Sequence, residues 1–467
     1  MKEWDVKVNK IQRDDHDKRM GEYFKILNHY PELSTEIKAL TGKYENAGLY
    51  LMTFTPILFS FVNFVIEDAN KKGLERLYFL SRDGYQMYLI AKWIVKVLGL
   101  EIECRYLKVS RYSMRVPGYH IDIDEAIESL CTSGIDVTLE KILKRGALTE
   151  KECAEVESEL GLSAKKNKKL RYAEVVAYKE ILKKSETLRK YIRSHSKETY
   201  DPAFAYLKQE GLFESNYAIV DSGWVGTLQL SIERLLRSKG ADIYVTGYYF
   251  GMYDYPDEIK GDKAYKDRFN TFFFSPTKGL WRKRIFSNSL FEAVVTAPSG
   301  MVTGYETTED GAVKVIEHTL DPSAVLTVSE NTEALEYLLE RLSVVPNVSK
   351  KDVRKIIYML MSNPTETELK FFGSLEFSDD LNDTGRNVVA AEMSAAELKS
   401  QRFLPRLLTV KGLIKRELKE SAWIEGSAVR TELVDRNSRK CFKAERELRH
   451  IRFCKYLTFL RKQIKNY

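Results

Sequence analysis

The chain has 467 residues, of which 44% are hydrophobic, 12% aromatic and 30% charged, a composition that excludes intrinsic disorder and predicts two or three structural units. The net charge of +7 is uneven, because residues 401–467 hold 18 Lys and Arg against 7 Asp and Glu, whereas the remainder is slightly acidic. This distribution argues against a nucleic-acid-binding core and favours contact between the C-terminal tail and an anionic partner.

Cysteine and histidine usage predicts neither disulfides nor a zinc site. The five cysteines are scattered without a CxxC motif, and the six histidines form no HxxxH or HExxH motif. The N-terminus is polar and has no signal-peptide core. Together these features predict a cytoplasmic protein.

Residues 1–43 read as an N-terminal helical segment, and the apolar stretch at residues 48–66 follows it. Those 19 residues carry no charge and are long enough to span a bilayer. Pro56 lies in the middle, and Thr53, Ser60 and Asn63 lower the hydropathy. We therefore expect a buried core helix rather than a membrane span.

Four short apolar runs further along the chain read as β-strands, at residues 76–81, 102–109, 217–221 and 243–250. The first and third each end in a polar, glycine-bearing loop that opens into a helical pattern, as βα units do. The pattern predicts an α/β fold with a mainly parallel, Rossmann-like sheet, a helical insertion and a helical C-terminal region. The predicted parts are a core at 44–111 and 206–310, an insertion at 112–205, a mostly helical region at 311–441 and a basic amphipathic tail at 442–467.

Polar residues follow the first two predicted strands at the end where parallel α/β sheets bind ligands. The first loop is Ser81, Arg82, Asp83 and Gly84, and the second begins with Ser110 and Arg111. Hydroxyl, guanidinium and glycine backbone together suit a phosphate group, so we interpret both loops as phosphate-binding. The alternative is an ordinary polar loop in which Asp83 caps the next helix.

The third strand delivers Asp221 to a loop that contains Ser222, Gly223 and Gly226, and Thr227 opens a helix. Strand, acid, Gly/Thr loop and helix follow one another in the same order in nucleotide-type phosphoribosyltransferases. There the loop holds the 5-phosphate and the acid binds the ribose hydroxyls. Those enzymes have two adjacent acids, whereas this chain has one.

Other catalytic motifs are not supported. The pair Asp122 and Asp124 has the spacing of a haloacid-dehalogenase nucleophile motif, but a helix follows it at once, so Asp122 is interpreted as a helix N-cap. GxSxG, P-loop and dinucleotide-binding motifs are missing from the sequence, which disfavours serine hydrolases, P-loop kinases and NAD enzymes.

Taken in order, the motifs resemble a known bacterial family. The segments that carry the likeness are GLYLMTFTPILFSF, GLERLYFLSRDGYQM, YLKVSRYSMR, IVDSGWVGTLQ, VTGYYFG and FEAVVTAPSGMVTGYE, which span roughly residues 45–310. This series resembles the C-terminal half of two-domain proteins of polysaccharide gene clusters. In that family the N-terminal half is a phosphatase, and the C-terminal half is a glycan phosphoribosyltransferase.

The resemblance implies transfer of phosphoribose from phosphoribosyl pyrophosphate to a lipid-linked glycan acceptor. The phosphatase half has no counterpart here, so a separate phosphatase would remove the 5-phosphate. Two alternatives remain open: a haloacid-dehalogenase-like phosphosugar hydrolase and a non-catalytic scaffold of a polysaccharide assembly complex.

The residues that match the family's motifs receive roles by the same resemblance. Asp83, Asp221 and Glu292 are the predicted catalytic residues, with Glu292 as the base and Asp83 also as the ligand of Mg²⁺. Trp224, Gln229 and Tyr249 are the predicted contacts to the acceptor. Arg82, Arg111, Thr227 and the loop glycines would hold the phosphates of the donor.

The tail at 442–467 combines apolar residues at three-residue spacing, from Leu448 to Leu460, with flanking Lys and Arg. One interpretation is peripheral contact with the inner membrane face through a basic amphipathic helix. The other is a helix that docks on the protein and leaves its basic side in solvent.

Overall fold

The computed structural model describes most of the chain, and the fold is given for that part. The described residues are 2–44, 47–132, 137–163, 167–170, 172–214, 216–320, 322–377, 387–410, 418–435 and 442–465. Parts of the predicted C-terminal region, at 378–386, 411–417 and 436–441, therefore lie outside the described residues, as does the end of the tail.

The centre of the fold is a five-stranded parallel sheet with the strand order β2-β1-β3-β4-β5. Its strands are β1 (Arg76–Leu80), β2 (Glu103–Leu107), β3 (Tyr217–Trp224), β4 (Thr246–Met252) and β5 (Phe269–Phe274). Two antiparallel pairs lie outside it: β6 (Val302–Thr307) with β7 (Val313–Glu317), and β8 (Glu376–Phe377) with β9 (Asn387–Val388). The prediction of an α/β fold with a parallel sheet is confirmed.

Helices make up most of the remaining structure. Before β3 they are α1 (Lys2–Leu27), α2 (Pro31–Thr41), α3 (Gly48–Lys71), α4 (Gly84–Leu98), α5 (Arg111–Arg115), α6 (Ile123–Leu130), α7 (Leu139–Lys144), α8 (Glu150–Glu159), α9 (Tyr172–Leu182) and α10 (Glu186–Gln209). After β3 they are α11 (Thr227–Ser238), α12 (Lys263–Lys266), α13 (Leu280–Lys283), α14 (Asn288–Val295), α15 (Pro322–Arg341), α16 (Lys350–Ile357), α17 (Glu366–Phe372), α18 (Ala395–Ser400), α19 (Phe403–Val410), α20 (Ile424–Asp435) and α21 (Ala444–Lys465).

Both faces of the sheet are covered, which explains why its strands read as apolar runs rather than alternating patterns. Leu77 and Phe79 of β1 face the core that contains α3 and α4, whereas Tyr78 and Leu80 face α10 and α11. Successive side chains of a strand point to opposite faces, so each strand contributes to both layers.

Helix α3 is the core helix of the first layer, as the sequence predicts. It is the one helix among the described residues that is long and apolar enough to cross a membrane, and 94% of its apolar window is buried. Helices from the N-terminal segment and from the C-terminal region pack into the same hydrophobic cluster, with Tyr23, Leu338 and Trp423 fully buried in it. The predicted position of α3 in the core is confirmed.

The insertion has a hydrophobic cluster of its own, which runs from Val116 to Ile192. Asp122 begins α6, and its side chain accepts a hydrogen bond from the Glu125 amide at 2.9 Å, so the predicted N-cap is confirmed. The long helix α10 extends beyond the insertion, because Ala203 and Tyr206 pack under the sheet. The predicted boundary at residue 205 therefore falls inside a continuous helix.

Candidate active site

The site lies where the strand order reverses, between β1 and β3. From β1 the chain turns through α4 to β2 on one side, and from β3 it continues to β4 and β5 on the other. Phe79 pairs with Val220 in register, so the loop after Leu80 leaves the sheet beside the end of β3. The predicted strand end at Asp221 is corrected, because β3 stays paired with β4 through Gly223 and Trp224 before the chain turns into α11. Crevices at such reversal points bind ligands in open α/β sheets.

Asp83 is joined to the third loop by a hydrogen bond. The Ser222 hydroxyl donates to Asp83 Oδ2 at 2.5 Å across 139 residues of sequence. Although Asp83 precedes α4, its side chain makes no capping hydrogen bond. The alternative of a simple helix cap is thus not the arrangement observed, and the carboxylate faces the crevice between the two loops.

Glycines allow the third loop to make its tight turn. Gly223 has φ +110°, and a Cβ there would lie 2.5 Å from the Gly251 carbonyl oxygen. Gly226 has φ +78°, and a Cβ there would lie 2.6 Å from the Phe269 ring. Both positions require glycine for conformation and for space. The turn leaves the N-terminus of α11 without a side-chain cap, so its amides remain available to an anion.

Trp224 positions Glu292, a contact that the sequence analysis did not foresee. The indole N–H donates to Glu292 Oε1, and the ring packs between Tyr253, Phe286 and Phe291. Trp224 has φ +76°, which is uncommon for a residue with a side chain and tends to occur at functional sites. The contacts observed are thus with a carboxyl group and three packed rings, and contact of Trp224 with the acceptor stays a prediction.

Burial raises the pKa of all three carboxyl groups, and the charge of Asp83 adds to the rise at Asp221 and Glu292. The pKa of Asp221 rises to about 7, mainly through burial and then through the charge of Asp83, although the Ser222 and Gly223 amides oppose the shift. The pKa of Glu292 rises to about 8 for the same two reasons. Burial also raises the pKa of Asp83, against the Ser222 hydroxyl and two nearby arginines. Such shifted groups are typical of catalytic sites.

Arginines supply the positive charge of the site. Arg111 is exposed, and its charge lowers the pKa of Asp83, Asp221 and Glu292 alike. Arg115, one helical turn later, donates from Nη2 to Thr227 Oγ1 at 2.7 Å. Within the described part of the chain it has no carboxylate within 4.0 Å. The sequence analysis missed Arg115, although its spacing of four residues from Arg111 puts both on one side of α5.

These groups line a cavity of about 430 Å³, which we call the carboxylate cavity. Of the fifteen residues predicted for the site, twelve line it. They are Ser81, Arg82, Asp83, Ser110, Arg111, Asp221, Ser222, Gly223, Trp224, Gly226, Thr227 and Glu292. The cavity also includes Arg115, Arg145 and Glu376.

Two of the predicted phosphate-binding hydroxyls are already engaged. The Ser81 hydroxyl donates to the Val109 carbonyl at 2.6 Å, which ties the ends of β1 and β2 together. The Ser110 hydroxyl donates to the Val302 carbonyl at 2.7 Å and accepts from the Ser113 amide as the cap of α5. Neither proton is available to a phosphate, so the prediction for these two side chains is corrected to a structural role.

Three further predicted residues lie away from the cavity. Gly84 is buried at the start of α4, where a Cβ would lie 3.0 Å from the backbone of Phe79, so its role is close packing. Tyr249 donates to Gln229 Oε1 at 2.6 Å, and both side chains are fully buried beneath the sheet. The prediction that Gln229 and Tyr249 contact the acceptor is wrong, because the two polar groups satisfy each other inside the core.

Metal binding rests on the carboxylates alone. In the described ranges, no group of three or more His, Cys, Asp or Glu side chains is arranged to hold a metal ion. Mg²⁺ usually binds one or two protein carboxylates together with substrate phosphates, and Asp83 with its neighbour Asp221 fits that smaller requirement.

Comparisons with known proteins do not define the function further. No model of a known protein family matches the chain, and no curated protein matches it.

Proposed function

We propose that the protein is a glycosyltransferase of the phosphoribosyl type, which moves phosphoribose from phosphoribosyl pyrophosphate to a glycan acceptor. The observation that carries this proposal is the cavity at the strand reversal, where three carboxyl groups with raised pKa values face arginines and the open N-terminus of α11. A sugar donor that carries phosphate at two positions needs carboxyl groups to bind the sugar and cationic or N–H groups to bind the phosphates.

The charge balance of the carboxylate cavity favours an anionic ligand. Four arginines and four acidic residues line it, but at neutral pH Asp221 is about half protonated and Glu292 mostly protonated. The arginines are then in excess. Arg145 is buried and donates to the Leu130 and Thr132 carbonyls. The other three cations are also arginines, whose planar fork suits phosphate oxygens better than the point charge of lysine.

The pyrophosphate and the 5-phosphate of the donor are assigned to opposite ends of the cavity. Arg82 and Arg111 neutralise the pyrophosphate that leaves. The amides at the start of α11, the Thr227 hydroxyl and the Arg115 guanidinium bind the 5-phosphate, since Arg115 already holds Thr227 at 2.7 Å. Asp221 accepts hydrogen bonds from the ribose hydroxyls. Asp83 would hold Mg²⁺, which supplies charge neutralisation to the pyrophosphate oxygens when bound.

The reaction breaks the bond between ribose C1 and the pyrophosphate oxygen and forms a bond between C1 and an acceptor oxygen. Pyrophosphate leaves with the bonding electron pair, and the ribosyl group carries positive charge in the transition state. Asp83 and Asp221 stabilise that charge. Glu292 takes the proton of the acceptor hydroxyl, and Trp224 holds its carboxyl group in place.

Incubation with phosphoribosyl pyrophosphate labelled in the ribose tests the proposal. The acceptor is the oligosaccharide released from lipid-linked intermediates of the producing cells. Transfer of label to the oligosaccharide with release of pyrophosphate is the expected result. Release of orthophosphate instead would indicate that the protein is a phosphosugar hydrolase. If the donor does not protect the loop at residues 81–84 from limited proteolysis, the result would indicate a non-catalytic scaffold. The 5-phosphate should stay on the product, to be removed by a separate phosphatase.

A cytoplasmic protein with peripheral contact to the inner membrane face is part of the same proposal. Lipid-linked acceptors lie at that surface, and the C-terminal 67 residues have an excess of 11 positive charges whereas the rest of the chain is slightly acidic. Helix α21 nevertheless docks on the body of the protein. Leu448 and Ile451 are buried, and Lys455 pairs with Glu425 at 2.6 Å. Membrane contact would therefore involve the exposed basic side of a docked helix, not a free tail.

A further inference from the structure

A second and larger opening lies beside the carboxylate cavity. It has a volume of about 990 Å³, and we call it the outer cleft. Helices α6 and α11 form one wall, the loop after β4 and the start of α14 form the floor, and helices α19 and α21 form the opposite wall.

The outer cleft reaches the carboxylate cavity through the third loop. Arg115, Thr132, Val225 and Thr227 line both openings. Helix α14 also connects them, because Asn288 lines the outer cleft and Glu292, one turn later, lines the carboxylate cavity. A molecule that lies along the cleft can thus present one end to the carboxyl group of Glu292.

The lining of the outer cleft is neutral as a whole. Seven acidic and seven basic residues line it, and several are already paired. Arg234 pairs with Glu125 at 2.6 Å, and Lys260 pairs with Asp254 at 3.4 Å. A polyanion such as a nucleic acid would find no excess of positive charge in such a cleft.

Aromatic rings and neutral hydrogen-bonding groups make up much of the remaining lining. Tyr253 and Phe459 stack on each other with centroids 5.0 Å apart, which covers the faces between them, and Tyr255 lines the cleft beside them. Ser231, Asn288 and Ser421 contribute polar groups around them. Sugar rings have apolar C–H faces and hydroxyl edges, so a polyhydroxylated chain matches both features of this lining.

We infer that the outer cleft binds the acceptor, as an extended and largely uncharged oligosaccharide whose terminal sugar enters the carboxylate cavity past Val225 and Thr227. The inference rests on the proposed function for the identity of the second substrate. The acceptor is thus assigned to a cleft between the core and the C-terminal helices, and no longer to Gln229 and Tyr249, which are buried.

Two substitutions that fill the cleft from different sides test this inference. The first is Ser231→Trp, on α11, and the second is Asn288→Trp, on α14. The matched control is Ser238→Trp, which lies on an exposed part of α11 outside the cleft. Each protein is assayed for binding of phosphoribosyl pyrophosphate with Mg²⁺ and for transfer to the oligosaccharide released from lipid-linked intermediates. A thermal melt checks that each variant folds.

Both cleft variants should bind the donor within about twofold of the parent protein but lose transfer by roughly tenfold or more, since small misplacements of a substrate have large effects on rate. Ser238→Trp should retain both. Transfer within about twofold of the parent in either folded cleft variant would overturn the inference, and so would loss of donor binding in both. Failure of the parent protein itself to bind the donor would instead refute the proposed function.

Discussion

Trp224 donates its indole N–H to the carboxyl group of Glu292, across 68 residues of sequence. The bond stabilises the ionised form of Glu292 and so opposes the rise in its pKa, which burial and the charge of Asp83 bring to about 8. Trp224 and Glu292 therefore form a unit in which the aromatic residue both orients the proposed base and tunes its pKa.

The first prediction concerns pH. A base with a pKa of about 8 is ionised only above that value, so the rate of transfer at low substrate concentration should rise through a midpoint near pH 8. Trp224→Phe removes the hydrogen bond and should move the midpoint to higher pH. Glu292→Gln should lower the rate by roughly a hundredfold and abolish the rise. A midpoint that is the same in Trp224→Phe and in the parent protein would contradict the role of the indole.

A second prediction links the site to stability. The pKa of Asp221 is about 7 in the folded protein and about 3.9 in an unfolded chain, so the folded state holds a proton between these values and loses stability as the pH rises through them. Asp221→Asn should therefore raise the free energy of unfolding at pH 8 by on the order of 1 kcal/mol or more. The gain should disappear below about pH 4, where Asp221 is protonated in both states.

Denaturant unfolding at pH 8 and pH 4 measures this effect, and the transfer assay on the same protein should show loss of activity. An Asn variant that is less stable than the parent at pH 8 would mean that Asp221 serves the fold rather than the reaction. Such opposition between stability and activity is expected at catalytic sites.

Much of the fold could be predicted from the sequence because local patterns determine it. The four predicted strands are present, α3 is buried, and Asp122 caps α6. Strand β5 was not predicted, because the aromatic run at Phe269–Phe274 does not alternate and the helix that follows it, α13, has only four residues. The hairpin of β6 and β7 was missed as well.

The site was only partly predictable for a different physical reason. Strand ends and loop glycines indicate where a ligand binds, and twelve of the predicted residues line one cavity. Hydrogen bonds over long sequence distances decide which side chains remain available. Ser81 and Ser110 bond to the neighbouring backbone, whereas Arg115 faces Thr227 because α5 packs beside α11. None of these pairings leaves a local pattern.

A third prediction compares two glycines. Gly223 has φ +110° and no room for a Cβ, whereas Gly240 has φ +87° with nothing within 4 Å of such an atom. Gly223→Ala should combine backbone strain with a clash against the Gly251 carbonyl and destabilise the protein by roughly 2 to 4 kcal/mol. Gly240→Ala should cost about 1 kcal/mol, the strain alone. If chemical denaturation shows the same loss in the free energy of unfolding for both variants, the backbone around Gly223 relaxes to accommodate the added methyl group.

The fourth prediction concerns the tail. Removing α21 would uncover its buried partners Leu398 and Ala428, so charge substitutions test membrane contact more cleanly than truncation does. Arg446→Gln, Arg449→Gln and Arg461→Gln together should weaken binding to liposomes that contain anionic lipid, by about 1 kcal/mol for each charge near the surface. Transfer to a soluble acceptor should not change. Binding that is insensitive to these substitutions and to salt would identify α21 as a structural helix only.

Calorimetric titration with phosphoribosyl pyrophosphate in the presence of Mg²⁺ tests the central claim most directly. The parent protein should bind one equivalent, and Arg111→Ala should weaken binding by roughly tenfold or more, because a charge-assisted hydrogen bond contributes about 1.5 to 3 kcal/mol. Arg237→Ala, on the exposed side of α11 outside the cavity, should bind as the parent does. Absence of binding by the parent protein, or equal binding by Arg111→Ala, would contradict the assignment of the carboxylate cavity to this donor.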